Sequence, residues 1–380
     1  MRLNPVLAGM ANYPFLHLTE AKLAAIARGV DIIDFGIGEP RELTPAFIPR
    51  ALEQALAAEP ISTYPVAEGL PELREAIAAW AQRRFGAALD PDTEVIPTQG
   101  SKEAIFHLPA VVAGRGDRVV VTTPGYPVAA RGALFAGAEV VALALDPTRG
   151  WQPELDAVDW DGVALLWLNH PNNPTAATAT PALYERAAAL AREHDFVLAS
   201  DEAYSELWFA GDPPVSALQL ADRTNVVVFN TLSKRSSMPG YRSGFAAGDP
   251  AIIAALKRYR PNVGVAPQTF IQRAAAAAWA DEDHVVEVRE RYRAKRDALL
   301  PALLEAGLRP SGGDASFFLW LRVPSGEDAE GYALRLLDRH GIVIAPGPYF
   351  GPGGEGHVRI ALVPTLADCR RAADLLASGA

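Results

Sequence analysis

Cysteine is nearly absent: Cys369 is the one thiol in 380 residues. That excludes a disulfide scaffold and any cysteine-rich metal site, and it suits a reducing compartment. Lysine is scarce as well. Only five of the 35 basic residues are lysines, Lys22, Lys102, Lys234, Lys257 and Lys295, so chemistry that needs a primary amine has few candidates. No run of about 18 apolar residues escapes charges and breakers, so no transmembrane helix is expected. The start, Met1-Arg2-Leu3-Asn4-Pro5, lacks the apolar core of a secretory leader, and a cytoplasmic setting is expected. A basic surface is missing too. The 45 acidic and 35 basic side chains give a formal net charge of −10, which argues against a nucleic-acid partner.

Apolar material is plentiful at 49%, enough to exclude disorder as the main state. At roughly 150 residues per domain the length predicts two domains. From about 94 to 248, short β-branched runs (Glu94–Pro97, Arg118–Thr122, Glu139–Leu143, Val163–Leu168, Phe196–Ser200, Val226–Phe229, Gly244–Gly248) alternate with helical stretches at 101–113, 127–136 and 181–194. That alternation predicts a mostly parallel sheet flanked by helices. Helices are also expected over 45–58 and 71–85, the second with Leu73, Ile77 and Trp80 on one face. The segment Thr19–Arg28 carries Leu23, Ile26 and Ala27 at helical spacing. Residues 250–306 read as helical, with a solvated face from Asp281 to Asp297. A smaller α+β pattern follows, with strands at Ser316–Val323, Ile342–Ala345 and His357–Leu362 and helices at 328–339 and 366–377.

Chemistry-bearing residues gather where these strands end. Thr231-Leu232-Ser233-Lys234, running on to Gly240-Tyr241-Arg242-Ser243-Gly244, puts an amine, a hydroxyl and an arginine beside a glycine loop. A lysine amine bonds to aldehydes once its ammonium can be deprotonated. Asn169-His170-Pro171-Asn172-Asn173-Pro174-Thr175 reads alone as a turn, and Ser200-Asp201-Glu202-Ala203-Tyr204 places an acid that could be only a helix cap. Thr98-Gln99-Gly100-Ser101-Lys102 opens a helix whose free N–H groups suit a phosphate. Thr123-Pro124-Gly125-Tyr126-Pro127 presents an aromatic ring. Together the five strand ends offer what a phosphorylated pyridine aldehyde requires.

The Thr-Leu-Ser-Lys…Gly-x-Arg-x-Gly element, the Asn-Asn-Pro-Thr turn and the Asp-Glu-x-Tyr element resemble, in order and spacing, the fold-type-I pyridoxal-phosphate (PLP) enzymes of the class I/II aminotransferase family. The resemblance covers essentially the whole chain. It implies an α/β fold: a large PLP-binding domain over 45–265, with a mostly parallel mixed sheet flanked by helices, and a smaller α+β domain formed by 1–44 with 266–380. Within the family, Tyr13-Pro14-Phe15, Gly38-Glu39-Pro40-Arg41 and Ser233-Lys234-Arg235-Ser236 are most similar to succinyldiaminopimelate transaminases of lysine biosynthesis.

Carried over residue by residue, the resemblance makes Lys234 the amine that bonds to the cofactor aldehyde and later shuttles the α-proton. Asp201 pairs with the pyridine nitrogen, which turns the ring into an electron sink. Asn173 and Tyr204 hydrogen-bond the ring's phenolic oxygen, and Tyr126 stacks on the ring. Gly100, Ser101, Lys102, Ser233 and Arg242 surround the phosphate, and Tyr64 reaches the phosphate of a neighbouring subunit, so a homodimer with shared sites is implied. Arg359 forks onto the substrate α-carboxylate, with Gly38 completing that site. Read without the family, Arg359 is an edge-strand arginine. Arg41 is the first candidate for a distal carboxylate, followed by Arg235 and Arg131, and Lys102 is a further option. His170 reads as a loop residue. Ala176 stands where the family's turn usually has glycine. The implied reaction moves an amino group between an amino acid and 2-oxoglutarate, with N-succinyl-LL-2,6-diaminopimelate as the expected substrate. Other aminotransferases of the family, acting on alanine, aspartate or aromatic amino acids, share these residues. So does a PLP-dependent C–S lyase. No metal site and no membrane or nucleic-acid partner is expected.

Overall fold

The computed structural model describes residues 2–10, 15–59, 61, 63–264 and 266–378; Tyr13, Pro14 and Ser62 fall outside them. Among the described residues fourteen strands run in chain order: β1 Ile33–Asp34, β2 Val95–Thr98, β3 Arg118–Thr123, β4 Glu139–Asp146, β5 Gln152–Pro153, β6 Val163–Asn169, β7 Val197–Asp201, β8 Val226–Thr231, β9 Gly244–Gly248, β10 Arg309–Pro310, β11 Phe318–Arg322, β12 Ile342–Val343, β13 Ala345–Pro346 and β14 His357–Ala361.

The large sheet has eight strands in the order β2-β9-β8-β7-β6-β3-β4-β5. The pairs joining β4, β3, β6, β7 and β8 are parallel; β9 is antiparallel to both neighbours, and β5 is antiparallel to β4. The sheet is therefore mixed, parallel through its centre. Alternate residues of its strands face two separate cores, as a period of two requires. Val120, Leu166, Leu198, Val226 and Val228 pack with helices Pro71–Phe85, Pro181–Glu193 and Thr269–Ala280. Val119, Leu165, Ala199, Val227 and Phe229 pack with helices Ser101–Val112, Val128–Ala136 and Pro250–Tyr259. A sheet covered on both faces needs such continuous apolar runs.

A second sheet, β10-β11-β14-β13, is antiparallel throughout. It shares a core with helices Asp283–Glu305, Ala329–His340 and Leu366–Ser378. The short parallel pair β1-β12 is a sheet of its own, with Ile33 and Ile342 in the same core. Tyr204 and Leu207, from beyond β7, belong to this same core, so the two sheets meet behind the end of β7.

Three expectations needed correction. The stretch 250–306 is broken into helices Pro250–Tyr259, Thr269–Ala280 and Asp283–Glu305, because Pro261 and Pro267 interrupt it. The charged run within the last helix is only half solvated: His284, Val288, Tyr292 and Lys295 are buried. The N-terminal helix forms over Phe15–Ala27, but Leu23 and Ile26 are exposed, and Leu18 and Ala25 pack against Leu337 and Val343 instead. Among the described residues no helix is long and apolar enough to cross a membrane.

Candidate active site

The chain order reverses between β3 and β6: β3 leads outward to β4, while β6 leads the other way to β7 and β8. In open α/β sheets the crevice at such a reversal, outside the carboxyl ends of the strands, is where ligands bind. A cavity of about 1090 Å³ opens there, lined by residues from the ends of β3, β6, β7 and β8 and from the smaller sheet. It has room for a cofactor-sized molecule and a substrate together.

One wall is shaped for an anion. β2 turns through Gly100, at φ +71°, into the helix that starts at Ser101. A Cβ at Gly100 would lie 2.9 Å from Cζ of Arg242, and one at Gly244 would lie 2.9 Å from the Ser101 nitrogen. The two missing side chains thus let a guanidinium and a helix N-terminus approach each other. Arg242 is itself left-handed at φ +53°, a conformation that costs a non-glycine residue energy and concentrates at functional sites. Its Nη1 donates to the Pro239 carbonyl at 2.9 Å and its Nη2 to the Gln99 carbonyl at 3.2 Å. The Ser233 hydroxyl, 3.0 Å from that of Thr231, lines the same cavity. Guanidinium, helix-start N–H groups and hydroxyl form a donor set that fits a phosphate.

Deeper in, the strand ends supply opposite charges. Asp201 closes β7 and is buried; its Oδ1 accepts from the Ala203 N–H at 3.2 Å. Burial pushes its carboxyl up to about 7, against the Ala203 N–H bond and the charge of Lys234. A carboxyl so desolvated at a cavity wall fits a cationic ring nitrogen. Glu202, beside it, faces the other way and accepts from the Ser200 hydroxyl and the Ala217 N–H, both at 2.9 Å. Only the first acid of the pair lines the cavity.

Lys234 lies on the short turn Leu232–Arg235 after β8. Its Nζ donates to the Gly38 carbonyl at 3.0 Å and sits 5.4 Å from the centre of the Phe317 ring. Burial, reinforced by the charge of Arg359, brings its ammonium down to about 8. The amine is therefore within reach of its free-base form near neutral pH, as a nucleophile or proton carrier requires.

The β6 exit is fixed by amides. Asn169 Oδ1 accepts from the Asn173 N–H at 2.9 Å, while Asn169 Nδ2 donates to the Asp201 carbonyl at 2.9 Å. Asn173 Oδ1 accepts from Nη1 of Arg359 at 2.9 Å, and Nη2 of Arg359 donates to the Gly36 carbonyl at 2.6 Å. Arg359, on β14 and 4% exposed, lies 4.4 Å above the Phe318 ring and 4.6 Å from that of Phe350. Its planar fork thus stands at the cavity, set between aromatic rings. The turn after Asn173 keeps Ala176 at φ +59°, so the departure from glycine falls where a methyl group is strained. Gly312 and Gly313 let another segment pack closely on this turn, since Cβ atoms added there would strike the Thr175 and Ala176 carbonyls.

The structure brings Gly38, Ser101, Lys102, Tyr126, Asn173, Asp201, Tyr204, Ser233, Lys234, Arg242 and Arg359 to this one cavity. Tyr204 is buried edge-on against Phe317 and Phe318, and burial raises its hydroxyl above the ordinary range. Lys102 Nζ lies 5.9 Å from the centre of the Tyr126 ring. A Cβ at Gly38 would press within 2.8 Å of the Phe318 ring. Arg41 is exposed and outside the lining. Tyr64 is 92% exposed and also outside the cavity of its own chain. Arg235 is not available to a substrate. It is buried, donates to the Ala278 carbonyl at 2.8 Å, pairs with Glu282 at 3.1 Å and lies 4.8 Å over the Trp279 ring. Arg131 does line the cavity. His170 is a neutral buried ring, its pKa brought down to about 4 by desolvation.

Sequence reasoning missed the far wall, where Leu18, Thr19, Lys22, Asp34 and Tyr349 line the cavity. An acid inside the apolar run Ile32-Ile33-Asp34-Phe35 was the available signal. It also missed a chain behind Lys234. There Ser236 Oγ lies 2.8 Å from His284 Nε2, and His284 Nδ1 lies 2.5 Å from Asp281 Oδ1. Ser236 is fully buried, so this set is not a nucleophile; it ties the lysine turn to the helix Asp283–Glu305.

Comparison with known proteins agrees with this geometry. The family model "Aminotransferase class I and II" matches residues 30–376. The chain is 38% identical over 377 residues to an LL-diaminopimelate aminotransferase of Nitratidesulfovibrio vulgaris, covering 98% of this chain and 97% of that one. An aminotransferase structure from Neisseria meningitidis superposes with a TM-score of 0.92 at 35% identity, covering 99% of each chain. A probable N-succinyldiaminopimelate aminotransferase from Thermus thermophilus does so with a TM-score of 0.88 at 32% identity, over 96% of this chain and all of that one. The chain belongs to the class I and II aminotransferase family and is a transaminase.

Proposed function

We propose that this transaminase uses pyridoxal 5′-phosphate to move an amino group between a long diamino dicarboxylate, diaminopimelate or its N-succinyl derivative, and 2-oxoglutarate. The observation that carries the cofactor reading is the convergence on one cavity of a buried lysine amine, a buried carboxyl and a phosphate-shaped donor set. The substrate reading rests on the relatives named for diaminopimelate and on the size of the cavity.

The cofactor, when bound, supplies an electron sink for the pair released at the substrate's α-carbon. Ser101, Ser233 and Arg242 would hold its phosphate, with Gly100 leaving them room. Asp201 would hold the positive charge of the pyridine nitrogen, relieving the desolvation that raises its own pKa. Asn173 and Tyr204 would donate to the ring's phenolic oxygen, and Tyr126 would cover the ring face. Lys234 would bond the aldehyde and, once displaced by substrate, carry the α-proton on Nζ. Arg359 would fork onto the α-carboxylate, steadied by Asn173. On this reading the 45–265 unit holds the cofactor, while the units 1–44 and 266–380 bring Gly38 and Arg359. Tyr64 would complete the phosphate site of a second subunit in a homodimer.

Two measurements test this. Borohydride treatment of protein reconstituted with pyridoxal phosphate should fix the cofactor on the peptide containing Lys234; a colourless protein that resists trapping refutes the cofactor reading. Glutamate formation from 2-oxoglutarate should then be profiled with LL-diaminopimelate, its N-succinyl derivative, alanine, aspartate and phenylalanine. Preference for a short or aromatic donor refutes the substrate assignment, and release of pyruvate with ammonia from a cysteine conjugate points to C–S lyase chemistry.

A further inference from the structure

The wall that the sequence did not reveal carries an ion pair of its own. Lys22, on the helix Phe15–Ala27, places Nζ 2.5 Å from Oδ2 of Asp34 on β1, and both residues line the cavity. Asp34 is 5% exposed, whereas Lys22 keeps 26% of its side chain accessible. An ion pair drawn this far out of water costs desolvation that its own attraction need not recover. An ammonium carries three donors, and among the described residues the Asp34 bond is the hydrogen bond that Lys22 makes, leaving donors for a group inside the cavity.

The pair is also mechanically joined to Arg359. The other carboxylate oxygen of Asp34 accepts from the Gly36 N–H at 2.8 Å, and the Gly36 carbonyl accepts from Nη2 of Arg359 at 2.6 Å. One residue's backbone thus holds the carboxylate that seats Lys22 and the guanidinium at the substrate end. A Cβ on Gly36 would lie 3.2 Å from both Asp34 Oδ1 and Val343 Cγ1, so the connection has little slack. Two cations fixed to one residue form a gauge for a molecule with a carboxylate at each end. Of the other candidates, Arg41 is outside the cavity and Arg235 is engaged elsewhere, while Lys102 and Arg131 line it from the helices Ser101–Val112 and Val128–Ala136, with Lys102 at the helix start that closes the anion wall.

We propose that Lys22, seated by Asp34, reads the distal carboxylate of the substrate and sets the preference for long acidic amino acids. Asp34 acts as a positioning residue, through Lys22. This rests on the reading of Arg359 as the α-carboxylate site.

The test compares two amino donors of equal length, 2-aminopimelate and 2-aminoheptanoate, which differ only in the terminal carboxylate. A hydrogen bond to a charged group contributes roughly 1.5–3 kcal/mol. The ratio of kcat/KM for the acidic over the apolar donor should therefore fall about 10- to 150-fold in Lys22→Met, mainly through KM, and Lys22→Arg should restore part of it. Asp34→Asn should lower the same ratio, and the double variant should be no worse than Lys22→Met alone, since both act through one contact. An unchanged ratio in Lys22→Met overturns the proposal, as does full additivity in the double variant. Wild-type protein that transfers amino groups from neither donor, yet is active with others, would instead refute the underlying diacid reading. Should Lys22→Met fail to fold, Lys22→Gln and the Asp34→Asn ratio carry the same decision.

Discussion

Substituting Gly100 by Ala should weaken cofactor binding although Gly100 has no side chain of its own to offer the cofactor, because the added methyl displaces Arg242. The added methyl would sit 2.9 Å from Cζ of Arg242 and nearer still to Nη2, closer than side-chain carbons approach in folded proteins. The backbone there is held between β2 and the helix Ser101–Val112, so the guanidinium must move. Two costs follow and can be measured separately. The backbone there, at φ +71° and ψ 162°, lies in a region essentially reserved for glycine and costs an alanine about 1–3 kcal/mol, which appears as lost stability in urea unfolding of the apoprotein. Displacing Arg242 from the phosphate forfeits a charge-assisted interaction of roughly 1.5–3 kcal/mol, a 10- to 150-fold weaker dissociation constant for pyridoxal phosphate. Arg242→Ala should show a similar loss of affinity, and the double variant little more than either. Pyridoxal, which lacks the phosphate, is the control: its weaker binding should change by less than about threefold. Equal losses for pyridoxal and its phosphate would show that the damage is to the ring site or the fold, and the assignment of this wall to the phosphate would fail.

Three further outcomes are expected. The folded-state pKa of Asp201 is raised to about 7 from an ordinary 3.8, so the stability it contributes is complete below the unfolded value and is lost as pH rises through 7. Asp201→Asn does not titrate; its stability relative to wild-type apoprotein should climb from pH 4 to 7 and level off above, as read by thermal unfolding across that range, and a flat difference would refute the burial argument. Arg359→Lys keeps the charge but loses the fork that joins Asn173 and Gly36, and kcat/KM for every amino donor should fall about 10- to 100-fold in steady-state assays. Ser236→Ala strands the buried His284 Nε2, and should cost roughly 1–3 kcal/mol of unfolding free energy while Lys234 is still trapped by borohydride.

The strands of the central sheet were legible because burial on both faces forces unbroken apolar runs, and Val119-Val120-Val121 announces such a strand without help from its neighbours. The antiparallel insertion of β9 between β2 and β8 was not legible, since direction is set by the connection and leaves no mark on Gly244–Gly248. The break at Pro261 and Pro267 was in plain view but was outweighed by the helical pattern around it. Residues on the N-terminal helix were misjudged because helical spacing shows that a face exists, not what it meets. Leu23 and Ile26 are exposed in the single chain, and it is the less conspicuous Leu18 and Ala25 that are buried.

Strand ends explain the same contrast within the site. Lys234, Asp201 and Asn173 each follow a recognisable strand directly, so their convergence is a consequence of sheet topology that sequence order alone suggests. Lys22 and Asp34 lie in segments joined to the cavity only by tertiary contact, and Arg235, adjacent to the key lysine, is carried away by the turn of the helix and buried against Trp279. Proximity in sequence therefore misled, while a residue more than 200 positions from Lys234 shares its cavity. The chemistry that transaminases have in common is written at the strand ends. On the proposed reading, this chain's preference for a distal carboxylate is set on the opposite wall, where Gly36 couples the position of Lys22 to that of Arg359. A change at Gly36 should consequently alter preference and turnover together, which no change at Lys22 alone would do.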